Sequence, residues 1–331
     1  MRLNIAVLPQ PGTQHRIFGE PQWRQLEVLG RVAANERAGK PEPEAVRQLL
    51  KGADIAITSW GCLPFTEELL SAAPNLQAIL HAAGTVKGIV TPAVWERGIR
   101  VSSANGPLGI GVAETALGLT IASLKNMWSL VSSTRAGGWY AGRENVRELY
   151  EVTVGVIGAG QAGRHYIRLL RQFGVNIIVY DPVLSAEQAA ELGACKTELD
   201  TLLAESDVVS IHAPLLPATY RMINRDRLMA MKDDAILINT ARGAIVDELA
   251  LVEELRKGRL FACLDVTDPE PPAEDHPLRS LPNCVLTPHI AGAVGNGVKR
   301  LGQFAIDELK RLVAGQPLEG EVRQEQLATL A

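Results

Sequence analysis

Short apolar runs recur along the chain, and stretches with helical spacing separate them. Asn4 to Leu8, Asp54 to Ser59, Leu76 to His81 and Ile99 to Ser103 predict strands. Pro43 to Lys51, Thr66 to Ala73 and Thr91 to Arg97 predict the helices between them. From residue 152 the pattern restarts more strongly, as VTVGVI, VNIIVY, VVSIHA, AILINT, FACLDV and CVLTPH. Alternating strands and helices build parallel sheets covered on both faces, so two series predict two α/β units. Ile110 to Arg135 predicts one long helix from the first unit into the second. Asn296 to Val313 predicts a last helix that returns to pack on the first.

Composition narrows the partners. With 331 residues, 47% of them hydrophobic and 21% charged, the chain has room for about two ordinary domains. A net charge of −4 favours neither nucleic acid nor an anionic membrane. The four cysteines (Cys62, Cys195, Cys263, Cys284) form no C-x-x-C pair and the six histidines no i, i+4 pair. Reduced thiols and no metal site are therefore expected. Leu3 to Leu8 is too short for a signal-peptide core, and Ile110 to Leu130 holds Glu114, Lys125 and Asn126. The expectation is a soluble cytoplasmic protein.

The most informative stretch is VTVGVIGAGQAGRHYIRLLRQFGVNIIVYDP. An apolar strand runs into Gly158-Ala159-Gly160-Gln161-Ala162-Gly163, a G-x-G-x-x-G turn. A helix is predicted from there to Phe173, and the next strand ends in Asp181, 18 residues after Gly163. One glycine permits the tight turn, one the approach of a pyrophosphate, and one close helix–strand packing. The helix N-terminus then receives the phosphates. Asp181 is placed to accept from the adenosine ribose hydroxyls. A carboxylate there repels a 2′-phosphate, and Pro182, Val183 and Leu184 supply no cation. These features point to NAD rather than NADP.

Three later strands also end in chemistry. Arg242 follows Ile236 to Asn239, Asp265 and Glu270 follow Phe261 to Leu264, and His289 follows Cys284 to Thr287. Arginine offers a two-pronged clamp for a carboxylate. Histidine takes and gives a proton near neutrality, and a neighbouring carboxylate fixes its tautomer. Each also has a plain reading: an ion pair of Arg242 with Asp247, a solvated Glu270, a hydrogen-bonded loop His289.

Together the motifs resemble the D-isomer-specific 2-hydroxyacid dehydrogenases over nearly the whole chain. VGVIGAGQAGR, HAPLLPAT (212 to 219), LINTARGAIVDELAL, LDVTDPEP and LTPHIAG stand in that family's order, and Asn105-Gly106-Pro107 matches its lead into a long helix. The resemblance implies two Rossmann-like doubly wound domains with a cleft between them. Residues 105–290 would bind NAD, and 1–104 with 291–331 would bind substrate. Arg242 would clamp the carboxylate and carbonyl of a 2-hydroxy or 2-keto acid, and His289, paired with Glu270, would be the acid/base. The resemblance puts Asp265 at the nicotinamide end and His212, Ala213 and Pro214 along the cofactor's path. Gln161, Ala162, Pro182, Thr219, Thr240, Ala241 and Gly292, with Arg242 and His289, complete the implied cofactor contacts. A homodimer through region 110–150 is implied as well.

One segment departs. The family's loop usually reads G-x-D-N-I-D, whereas this chain has HAAGTVKGIVT, 81 to 91. By position the amides of Thr85 and Val86 would bind the carboxylate, and Lys87 stands where aspartate is common. Lys87 is either a second cation for a larger anion or a solvent-facing lysine. His81 and Trp60 either line this loop or pack beneath it. Rival readings on the same fold are a corepressor-like NAD(H) sensor and a dehydrogenase of phosphite or formate.

Overall fold

The computed structural model describes residues 2–330. They form two compact units, one reaching Leu108 and resuming over Ala293–Leu330, the other Gly109–Gly292. In chain order the strands of the first unit are β1 (Leu3–Val7), β2 (Gly30–Ala34), β3 (Ile55–Thr58), β4 (Ala78–His81) and β5 (Arg100–Ser103). The second holds β6 (Tyr150–Ile157), β7 (Gly174–Tyr180), β8 (Cys195–Lys196), β9 (Val208–Ile211), β10 (Ala235–Asn239), β11 (Leu260–Leu264) and β12 (Cys284–Leu286). The chain then returns to the first unit for β13 (Glu321–Val322).

The first sheet runs β13-β5-β4-β3-β1-β2, parallel except for the antiparallel edge β13. The second runs β12-β11-β10-β9-β6-β7-β8 and is parallel throughout. Helices cover both faces, which is why β3, β4, β9 and β10 are apolar but for one residue each and bury every residue. Each sheet has an apolar core on either side. The two α/β units predicted from the alternation are therefore present.

Several elements differ from expectation. The stretch Ile110 to Arg135 is not one helix but two, Asn105–Leu124 and Met127–Arg135. Asn126, with φ 49°, adopts the left-handed conformation and breaks it. The helix after the glycine turn stops at Leu170, short of Phe173. Three strands were not anticipated: β2, whose GRVAA alternates only weakly, and the two-residue β8 and β13.

Helix Asn105–Leu124 is the one described helix long and apolar enough to cross a membrane. In the second unit its small residues serve packing instead. Ala113 and Ala116 are fully buried, and a Cβ on Gly109 would lie 2.9 Å from the amide of Ala162. Close approach at Gly109 thus sets this helix against the glycine turn.

Candidate active site

The register levels the carboxyl ends of the second sheet. Tyr180, Ile157, Ile211, Asn239, Leu264 and Leu286 are successive partners across β7, β6, β9, β10, β11 and β12. Just beyond them lie, in the same order, Asp181, Gly158, His212, Thr240 with Arg242, Asp265, and His289. Strand order reverses beside β6, the crevice where such sheets bind ligands. Neighbouring strands are about 4.8 Å apart, so β7 and β10 are separated by roughly 14 Å.

The turn after β6 needs its glycines for different reasons. Gly158 has φ 94°, and a Cβ there would sit 2.7 Å from the amide of Ala213. A Cβ on Gly163 would lie 2.0 Å from the carbonyl of Gly158, whereas one on Gly160 would meet nothing within 4 Å. Asp181 braces the turn by accepting from the amides of Ala159 (2.7 Å) and Val183 (2.9 Å).

Beyond β9, His212 is buried against Tyr166 and its Nε2 pairs with Ser210 Oγ at 2.9 Å. Ser210 also bonds Tyr166, whose hydroxyl lies 2.6 Å from Thr120 Oγ1. A run of hydroxyls therefore reaches His212 from inside the core. Thr219 closes its own loop, donating to Pro214 O (2.6 Å) and accepting from Leu216 N.

After β10, Asn239 shapes the approach to Arg242. Its side chain accepts from Ala241 N at 3.0 Å and donates to Arg242 O at 2.9 Å. Arg242 is exposed and bonds the carbonyl of Ala241 at 2.6 Å. Among the described residues it forms no ion pair; Asp247, its candidate partner, instead caps helix Glu248–Arg256 through Ala250 N. Gly243 lets the next loop close in, since a Cβ there would lie 2.1 Å from the carbonyl carbon of Thr267.

Asp265 is 1% exposed and organises the loop after β12. Its Oδ1 accepts from Thr287 Oγ1 (2.5 Å) and Ile290 N (2.9 Å), its Oδ2 from Ala291 N (2.7 Å). Between these anchors His289 takes φ 54°, and its own amide donates to Asp265 O. Its Nδ1 meets Glu270 Oε1 at 2.6 Å, both side chains half exposed. A cavity of about 440 Å³ borders the pair.

In the first unit the loop after β4 turns its carbonyls inward. Ser59 Oγ donates to Ala82 O, Ser103 Oγ to Gly84 O, and the His81 ring bonds the backbone of Thr85. The amides of Gly84, Thr85 and Val86 make no hydrogen bond among the described residues. Lys87 is exposed and in no described ion pair, Trp60 is exposed, and His81 is buried against Thr58.

Residues 117–291 match the family model described as "D-isomer specific 2-hydroxyacid dehydrogenase, NAD binding domain". A glyoxylate reductase of Thermofilum pendens is 34% identical over 322 residues, 94% of either chain. The chain belongs to the D-isomer-specific 2-hydroxyacid dehydrogenase family. A D-3-phosphoglycerate dehydrogenase of Methanocaldococcus jannaschii is 33% identical over 299 residues, 90% of this chain but only 57% of that longer protein. The crystal structure of a glyoxylate reductase from Paecilomyes thermophila superposes with a TM-score of 0.80 at 28% identity, covering 98% of this chain and all of that one.

The second unit is thus this dehydrogenase family's NAD-binding domain, and its residues fit the dinucleotide. Among the described residues two buried polar atoms have no partner, His212 Nδ1 and Thr240 Oγ1, both just beyond the carboxyl ends of their strands. Such atoms normally find one. The space above Gly160 is open beside amides that lead a helix. Gly163→Ala is expected to weaken NADH binding about tenfold or more, because the added methyl has no room. Fluorescence titration with NADH measures it; unchanged affinity would contradict the turn's role.

Both buried imidazoles are held neutral. Burial lowers His81 to about 4 and His212 to about 3. Unfolding restores the ordinary value of 6.5, so their stabilisation is complete above that pH and falls as pH drops toward 4. Each ring is expected to remove up to ~2 kcal/mol of stability by pH 5. Urea titrations at pH 7.5 and 5 read this, and His81→Gln or His212→Gln should flatten the dependence. Identical slopes in all three proteins would refute it.

Sequence reading missed Asn239, Gly243 and Thr287, which shape the loops at these strand ends. Only Asn239 left a signal, a polar residue ending an apolar strand before arginine.

Proposed function

We propose that this protein interconverts D-2-hydroxy acids and 2-keto acids with NAD(H). The observation that carries the reading is the 2.6 Å pair of His289 and Glu270, two strands from an arginine that forms no ion pair among the described residues. A carboxylate only accepts, so His289 Nδ1 holds its proton toward Glu270 and Nε2 faces the substrate oxygen. In reduction the protonated ring donates its Nε2 proton to the C2 oxygen, and in oxidation Nε2 takes that proton back, Nδ1 keeping its own toward Glu270 throughout. Arg242 holds the acid and balances charge developing on the C2 oxygen. Bound NAD(H) supplies or accepts the hydride at C2. In the first unit the amides of Thr85 and Val86 receive the carboxylate. Asp265 acts by keeping the His289 loop in place, and Asp181 favours NAD over NADP.

The test is NADH and NADPH oxidation at 340 nm with glyoxylate, hydroxypyruvate, pyruvate and branched 2-keto acids. Turnover of at least one acid with NADH, and at least about tenfold lower kcat/KM with NADPH, is expected from charge repulsion at Asp181. Inactivity on the whole panel would remove this reading.

The same reading makes the protein a cytoplasmic homodimer. Helix Met127–Arg135 has no buried residue and exposes Met127, Trp128 and Val131, with Trp139, Tyr140 and Tyr150 exposed in the chain that follows. Apolar surface of this extent marks a protein interface. Sedimentation at micromolar concentration should give twice the chain mass, and a monomer would count against it.

A further inference from the structure

The Glu270–His289 pair is only as well placed as the loop that carries Glu270. That loop, Asp265 to Ala273, leaves β11 and borders the cavity on the side of Thr267, Glu270 and Pro271. Against Gly243 it touches through the backbone of Thr267, and beyond Glu270 it is tied where Arg279 donates to Pro272 O (2.7 Å) and Ala273 O (2.8 Å). Between those points, apart from His289 on Glu270 itself, one side chain outside the loop bonds it among the described residues. Glu248, the first residue of helix Glu248–Arg256, accepts the amide of Asp268 at 2.7 Å, two residues before Glu270.

We propose that Glu248 is a positioning residue: by holding the Asp268 amide it fixes Glu270, and through Glu270 the orientation of His289. This rests on His289 being the acid/base. Glu248 is only 10% exposed in its side chain, an unusual place for a carboxylate that forms no close ion pair. The groups that face it are Asp268 and His276 from the loop segment and Cys284 from β12. His276 Nε2 stands 3.9 Å away, its Nδ1 already accepting from Leu278 N, so the Nε2 side carries the proton toward Glu248. Burial pushes the Glu248 carboxyl up to about 7, with Asp268 adding to the rise and its amide opposing it. The anchor is thus a charged acceptor above neutrality and a neutral, weaker one below. Loop tension becomes sensitive to protons at a site one step removed from the chemistry.

The experiment compares wild type, Glu248→Ala and Glu248→Gln by amide exchange at Asp268 and by kcat and KM from pH 5.5 to 8.5. Glu248→Ala should exchange the Asp268 amide at least about tenfold faster. Its kcat should fall about tenfold or more, with KM for the keto acid within about threefold. Glu248→Gln, which still accepts but cannot ionise, should restore amide protection. It should match wild type at pH 6 and trail it about fivefold at pH 8, where only wild type has the charged acceptor. The proposal is overturned if Glu248→Ala keeps kcat within twofold, if glutamine restores neither property, or if the ratio of wild type to Glu248→Gln is flat across pH 7. Should wild type reduce no keto acid, the acid/base reading fails by itself. Amide exchange then decides the anchor, and unchanged exchange in Glu248→Ala would refute it.

Discussion

Replacing His289 with asparagine should lower kcat/KM for the best keto acid by about 10²- to 10⁴-fold, the usual size of a lost general acid–base group. Asparagine is the apt replacement because residue 289 has φ 54°, and asparagine tolerates the left-handed conformation better than most residues. The backbone anchors from Asp265 then persist, and only the titrating ring is lost. The side chain is 48% exposed, so the melting temperature should hardly move. Steady-state kinetics with NADH decides the matter. A variant that turns over near the wild-type rate would show that the proton comes from elsewhere.

Arg242→Ala should cost about 10²- to 10³-fold in kcat/KM, the scale for removing a fixed charge-stabilising donor from a developing oxyanion. KM should rise along with the fall in kcat, because the guanidinium is proposed to hold the ground-state carboxylate as well. Arg242→Lys should recover only part of the loss, since an ammonium lacks the planar fork. The structure makes the comparison clean: Arg242 serves no described ion pair, so its removal strands no buried charge. Equal kinetics for the three proteins would exclude the clamp.

The fold was legible where burial acts on both faces of a strand. IAIT, AILH, VVSI and AILIN are apolar but for one residue each because helices cover each side, and such runs stand out in sequence. Edge elements lack that pressure. β8 and β13 have two residues each, held by their neighbours rather than by a pattern of their own. The break at Asn126 was hidden because apolar spacing continues on either side of it, and a single left-handed residue leaves no periodic trace.

In the candidate site, the groups proposed to touch ligand were visible and the groups that hold them were not. Arg242, Glu270 and His289 follow recognisable strand ends. Asn239 and Glu248 matter through partners that only folding brings near, the Arg242 carbonyl and the Asp268 amide, the latter 20 residues away in sequence. Asp265 was assigned to the nicotinamide end, and the geometry adds three hydrogen bonds to the His289 loop. Spacing along a sequence carries no information about such tertiary bonds.

The hydroxyl run from Thr120 through Tyr166 and Ser210 to His212 has an evolutionary corollary. Losing any one member leaves its neighbour with an unmet polar atom in a dry interior. Across an alignment of descendants, these four positions ought to mutate as a bloc, with apolar replacements at 120, 166 and 210 arriving in company.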